Sequence, residues 1–134
     1  LIDSAANARD NAYCPYSKFR VGAAVLCDNG SILSAGCNVE NVSYGATVCA
    51  ERVALFNAVS SGRTKFRAIA ICCDILGKFK GPCGMCRQAL IEFGSDWEIY
   101  LVKPESKEWK KVDLDYLLPM AFTPKDLEAE RVQT

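Results

Sequence analysis

The sequence contains no histidine, only two methionines and two tryptophans, and no excess of either charge. The missing histidine excludes imidazole as a general base and as a metal ligand, so any metal chemistry must rest on thiolates or carboxylates. Sixteen basic and sixteen acidic residues cancel, which leaves none of the electrostatic footprint that duplex nucleic acid or an anionic membrane surface requires. No uninterrupted apolar run reaches membrane-spanning length. The chain opens on Leu1 rather than Met, which leaves room for a preceding segment. Half of the 134 residues are apolar and 24% are charged. That is an ordinary globular balance, most simply read as one domain over residues 1–134 with a core of its own.

What the chain does have is eight cysteines. Disulfide scaffolds are usually smaller and poorer in core. Cys27, Cys37, Cys72 and Cys73 stand in apolar, strand-like stretches, where free cysteine behaves as a small hydrophobe. A reduced, cytoplasmic protein is expected.

Local punctuation sets the order of elements. Residues 2–13 read as a helix, ended by Cys14-Pro15, because proline removes a donor and restricts the residue before it. Val21–Leu26 and Ser31–Val39 read as strands of a hairpin around Asp28-Asn29-Gly30. A second helix is expected from about Val48 to Ser60, with Thr47 as N-cap and Gly62 beyond its end. It is apolar nearly all round, so it is buried, in part against another subunit. Strands are expected at Phe66–Cys73, Glu98–Lys103 and Trp109–Val112, and helices at Gly84–Phe93, at Leu114–Leu118 and after Thr123-Pro124. A hairpin followed by two strand–helix–strand units implies an α/β fold: a three-layer α/β/α sandwich on a mixed sheet of about five strands.

Two stretches carry chemistry. Cys83-Gly-Met-Cys86 places two sulfurs one turn apart on a helix face. Alone it is only moderately specific, with a thioredoxin-like redox pair, Cys83 as the attacking thiolate, as the lesser alternative. Cys49, at another helix start, offers a third thiol. Catalytic zinc takes three protein ligands and keeps one position open; a structural site closes with a fourth, here Cys72 or Cys73. Glu51 favours the open site, because a carboxylate at a helix terminus can reach the same point as Cys49. Its alternative is favourable charge in the first turn of a helix. Zinc with three thiolates is a net anion. Two helix N-termini, together with Arg52 and Arg87 hydrogen-bonding the sulfurs, would draw electron density away and restore Lewis acidity. The alternative for both arginines is surface solvation.

Cys49-Ala-Glu51 followed by Pro82-Cys-Gly-Met-Cys86 resembles the zinc-dependent nucleoside deaminases, with Cys49 where the more familiar signature has histidine. Cys14-Pro-Tyr-Ser17, Phe19-Arg-Val-Gly22, Asn38-Val-Glu-Asn41, Thr47–Arg52, Pro82–Gln88 and Leu117-Leu-Pro119 extend the resemblance over nearly the whole chain, to the small homotetrameric cytidine deaminases. Gly81 stands where relatives often have serine, and Val42 where alanine is usual. The resemblance implies one Zn2+ per chain on Cys49, Cys83 and Cys86, with Glu51 as the catalytic acid–base. It further implies Phe19 on the pyrimidine ring, Asn38 and Glu40 on the ribose 3′-hydroxyl, and the Ala50 N–H on the base carbonyl. Phe122 would stack from a neighbouring subunit, with Tyr44 near the shared site. The implied reaction is hydrolysis of cytidine and 2′-deoxycytidine to the uridines with release of ammonia, in pyrimidine salvage, with Glu51 moving a proton to N3 and then to the leaving amine. A blasticidin-type deaminase is the nearest rival, and Asn38-Val-Glu40 argues against it. A polynucleotide editor lacks its basic groove. A non-catalytic zinc module would need a four-thiolate site with Glu51 turned away.

Overall fold

The computed structural model describes residues 1–30 and 33–133. Five strands form a single sheet in the order β2-β1-β3-β4-β5, from β1 (Val21–Cys27), β2 (Leu33–Cys37), β3 (Phe66–Cys73), β4 (Glu98–Val102) and β5 (Trp109–Asp113). The expected sandwich is present, with α1 (Ile2–Arg9) on one face and α2 (Ala50–Ser60) and α3 (Gly84–Ile91) on the other. Two short helices follow, α4 (Leu114–Leu117) and α5 (Pro124–Leu127). The first two residues of the expected second strand, Ser31 and Ile32, lie outside the described residues.

β3 is the central strand of the sheet. It lies between β1, antiparallel, and β4, parallel. The crossover through α2 therefore skips β1, and only the crossover through α3 joins adjacent parallel strands. Alternation sorts the core into two layers. Ala23, Val25, Ile69, Ile71, Ile99 and Leu101 meet α2 and α3. Ala24, Ala70, Cys72 and Val102 meet Ala5 and Ala6 of α1. That second layer is made of small side chains, and α1 sits close. A Cβ on Gly22 would lie 2.1 Å from the Ala5 carbonyl oxygen and 2.3 Å from the Arg9 nitrogen, a clash with backbone that no rotamer relieves. Gly22→Ala is expected to destabilise the protein by at least about 2 kcal/mol, through overpacking. Calorimetry would register this as a fall in Tm of roughly 5–10 °C; an unchanged Tm would mean that α1 is free to move off the sheet.

Helix ends depart from expectation for local reasons. α1 stops at Arg9 because the next amides bond three residues back, and the Tyr13 N–H then joins the Asn38 carbonyl at 3.0 Å. Thr47 does not cap α2. Val48 pairs with Val39 through two backbone hydrogen bonds, at 2.9 and 3.0 Å, so the chain stays extended until Cys49, which is the N-cap. The Thr47 hydroxyl instead accepts the Asn41 N–H at 3.1 Å. α3 ends at Ile91, and Gly94 turns the chain at φ +112°. At α5 the expected Thr123 cap is present as a reciprocal capping box with Asp126. Only one face of α2 is buried within the chain: Phe56 is 48% exposed.

Candidate active site and metal centre

Two helix starts meet at one point. Cys49 is the N-cap of α2 and Cys83 the N-cap of α3, while Cys86 lies in the first turn of α3. Neither cap residue makes a capping side-chain hydrogen bond, so both sulfurs are free to face outward from the helix ends. The Cys49 and Cys83 sulfurs are 3.9 Å apart, and all three sulfurs lie within 4.8 Å of one another. Tetrahedral zinc with sulfur at about 2.3 Å sets its ligands about 3.8 Å apart, so the donor set fits zinc in both chemistry and spacing. Both helix dipoles present their positive ends to the cluster.

The alternatives for a fourth thiolate are separated by the sheet. Cys72 is fully buried on the opposite face, against α1. Cys73 lies on the same face as the cluster but is not among its three sulfurs. The geometry is that of three thiols and an open side.

Glu51 occupies that side. It sits in the first turn of α2 and is only 5% exposed. Burial pushes its carboxyl above the usual carboxylate range, and the Cys49 charge adds to this. Its own backbone N–H and the Cys86 thiol, 3.7 Å from Oε2, oppose the shift. The Cys49 thiol is made acidic: a hydrogen bond from Cys86, with further donors from Arg52 and Cys83, outweighs burial and holds it down to about 5. Cys86, which donates to Cys49, lies in a buried position and faces Glu51, is pushed up. A carboxyl group raised toward neutrality beside the acidic Cys49 thiol suits proton transfer at neutral pH.

The arginines divide. Arg52 donates to the Cys49 sulfur at 3.6 Å, as expected. Arg87 does not reach a sulfur. Its Nε donates to the Pro82 carbonyl and its Nη1 to the Leu117 carbonyl, each at 2.7 Å. The fork is occupied in tying the Cys83 loop to the end of α4, so its influence on the thiols is positional and through charge at a distance.

A cavity of about 440 Å³ opens from the cluster, within the range of about 300–1,000 Å³ common to small-molecule sites. Glu51, Cys49 and Cys83 lie along it together with Phe19, Asn38 and Glu40. Asn38 and Glu40 face the same way because they are two residues apart on an extended segment held between Tyr13 and Val48. Asn38 is 7% exposed, accepting from the Val21 N–H at 2.9 Å and donating to the Phe19 carbonyl at 2.8 Å. Glu40 accepts the Tyr16 and Ser17 N–H groups at 3.0 and 3.1 Å and the Ser17 hydroxyl; that hydroxyl holds its carboxyl below the usual range. Ala50 is fully buried, at the start of α2. Tyr44, 74% exposed, lies beside the cavity in a cleft shared with Ser17, Glu40 and Thr47. Phe122 does not line the cavity of its own chain: it is 61% exposed, and its carbonyl accepts from Gln88 at 2.8 Å.

Several wall residues escaped the sequence reading. Val21, Ile71, Cys73 and Ile75 complete the apolar side, and Lys80 lies with them. The period of two in β3 could have found Ile71 and Cys73, since both share a face with Ile69. No local signal marks Ile75 or Lys80.

The model for the cytidine and deoxycytidylate deaminase zinc-binding region matches residues 1–102. A probable cytidine deaminase of Dictyostelium discoideum is 47% identical over 132 residues, covering 98% of this chain and 88% of that one. The cytidine deaminase of Halalkalibacterium halodurans is 45% identical over 128 residues, covering 95% of each. Among solved structures, the cytidine deaminase of Burkholderia pseudomallei superposes with a TM-score of 0.84 at 43% identity, covering 91% of this chain and 96% of that one. The Mycobacterium tuberculosis cytidine deaminase gives 0.76 at 42% identity, with 91% and 94% covered. Thiols at two helix starts, a buried carboxylate beside them and matching sequence through both motifs lead to one family: this chain belongs to the cytidine and deoxycytidylate deaminases.

Proposed function

We propose that the chain is a zinc-dependent hydrolase that converts cytidine and 2′-deoxycytidine to the uridines and ammonia, in pyrimidine salvage. The observation that carries the reading is Glu51, buried beside three converging thiols at the inner end of a nucleoside-sized cavity. Cys49, Cys83 and Cys86 hold the ion, one per chain. When bound, zinc supplies a water acidified to a pKa of about 7, and so a nucleophile at neutral pH.

The rest is the work of the chain's own side chains. Glu51 takes a proton, passes it to N3 of the base to make C4 electrophilic, and later delivers a proton to the departing amino group. Phe19 lies against the ring, and the Ala50 N–H serves the base carbonyl. Asn38 and Glu40 orient the ribose 3′-hydroxyl with the hydrogen-bonding capacity left to them. Asn38 keeps one N–H and one lone pair, and Glu40 one of its roughly four acceptor positions. The negative charge of Glu40 disfavours a phosphate there. Arg52 lowers the electron density on the Cys49 sulfur, and Arg87 keeps the Cys83 loop in place.

No helix among the described residues is long and apolar enough to cross a membrane; a cytoplasmic setting agrees with eight free cysteines. We read residues 1–134 as one catalytic domain, supported by the single sheet. We also read the working form as a homotetramer whose sites are shared, with Phe122 and Tyr44 serving a neighbour. The exposed Phe56, Tyr44 and Phe122 support this. Light scattering is expected to give about four chain masses; a monomer of full activity would refute shared sites.

The test of function is ultraviolet absorbance of cytidine with the purified protein, alongside zinc analysis. The expected result is loss of the cytidine signal with one zinc per chain. Bound zinc without turnover of either nucleoside would overturn the reading.

A further inference from the structure

The apolar side of the cavity is built from two strands that stop pairing as they reach it. Val21 and Cys73 are the last partners in the β1–β3 ladder. One step further, Arg20 and Asp74 continue the connection by other means. The Asp74 N–H donates to the Arg20 carbonyl at 3.2 Å, and the Arg20 N–H donates to Asp74 Oδ2 at 3.0 Å. The Arg20 guanidinium then grips the same carboxylate with two bonds, Nε to Oδ2 at 3.0 Å and Nη2 to Oδ1 at 3.2 Å. Arg9, from α1, adds Nη1 at 3.4 Å to Oδ1, and Asp10 lies 3.7 Å from the Arg20 guanidinium.

The placement of the pair gives it significance. Phe19 and Val21 flank Arg20, and Cys73 and Ile75 flank Asp74; all four flanking residues line the cavity, and neither Arg20 nor Asp74 does. Alternation along extended chain puts the pair behind the wall. Isolated surface ion pairs contribute little, but a bidentate fork combined with two main-chain bonds fixes distance as well as charge. Phe19 is connected onward: its N–H donates to the Ser17 hydroxyl at 3.0 Å and its carbonyl accepts from Asn38. A shift of one strand of the wall therefore moves the ring-facing and the sugar-facing residues together.

We propose that Arg20 and Asp74 are positioning residues for substrate, holding from behind the gap between Phe19–Val21 and Cys73–Ile75. The proposal rests on the deaminase reading above. It predicts a defect in binding rather than in chemistry, because Glu51 and the three thiols stand on α2 and α3, outside the clamp.

The experiment compares the unaltered protein with Asp74→Asn, Arg20→Ala and Arg20→Lys, measuring KM and kcat for cytidine, the dissociation constant of uridine and zinc per chain. For Asp74→Asn and Arg20→Ala, KM and the uridine dissociation constant should rise together by about tenfold, with kcat within about threefold, as expected when ground-state and transition-state binding fall equally. Arg20→Lys keeps the charge but loses the fork, and should fall between. It is the mildest change, and its KM decides the matter if the other two fail to fold. A purely structural role would lower Tm and the active fraction while leaving KM and uridine affinity unchanged, and that result would overturn the clamp. Unaltered protein that neither deaminates cytidine nor binds uridine would overturn the deaminase reading, and the clamp with it.

Discussion

Glu51→Ala should lower kcat for cytidine by at least about 10³-fold while leaving one zinc on each chain. The magnitude follows from the surroundings of the carboxylate. The chain has no histidine to substitute for it. Glu40, the other carboxylate on the cavity, is committed to Ser17 and to two backbone amides. Positioned acid–base groups typically contribute about 10²–10⁴-fold, and one group serving two proton transfers belongs at the upper end of that range. A loss of 10³-fold corresponds to about 4 kcal/mol in the barrier. Metal retention is expected because none of the three sulfurs is touched by the change. Glu51→Gln, similar in shape but unable to carry the proton, should behave alike. Steady-state absorbance and metal analysis on the same sample decide the point: either variant turning over at more than a tenth of the normal rate would remove Glu51 from its role.

Cys86→Ala should show the opposite pattern, with metal and turnover lost together. Cys86 is fully buried in the first turn of α3. Without it two sulfurs face the ion, and no other thiol among the described residues joins the cluster. The expected outcome is a protein that loses its zinc on dialysis and turns over cytidine at least about 10³-fold more slowly, since the activated water goes with the ion. Cys72→Ala and Cys73→Ala are the informative comparisons. Cys72 faces α1 across the sheet and Cys73 lines the cavity without joining the sulfur cluster, so both variants should keep one zinc per chain. Loss of zinc from Cys73→Ala would instead reveal a closed four-thiolate centre, and with it a structural role for the metal.

Much of this site is legible in the sequence, for physical reasons that can be named. Cys49 and Cys83 open helices, and helix starts are marked by local chemistry. Two thiols one turn apart share a face wherever that helix packs. The third strand, buried on both sides, betrays itself as an unbroken apolar run from Ala68 to Cys73. What escaped depends on contacts distant in sequence. Thr47 has the composition of an N-cap, but pairing of Val48 with Val39 keeps the chain extended past it. Arg87 has neighbours that suggest sulfur, but two carbonyls from separate segments claim its fork. The insertion of β1 between β2 and β3 is a choice of strand order that local patterns do not encode. Arg20 and Asp74, 54 residues apart, carry no local signal of their pairing, which the sheet alone creates.

The two uncapped helix starts have a consequence for how the molecule forms. Cys49 and Cys83 are 34 residues apart, and an ion bound to both would act as a reversible cross-link that closes the loop between them, a loop containing all of α2 and β3. Closing such a loop costs the unfolded chain entropy that a bridging ion offsets. Ligand that binds only the native arrangement stabilises it in proportion to the logarithm of its free concentration. Zinc held by these two sulfurs would make folding and metal capture one coupled equilibrium, with apparent stability a function of the zinc activity of the surroundings.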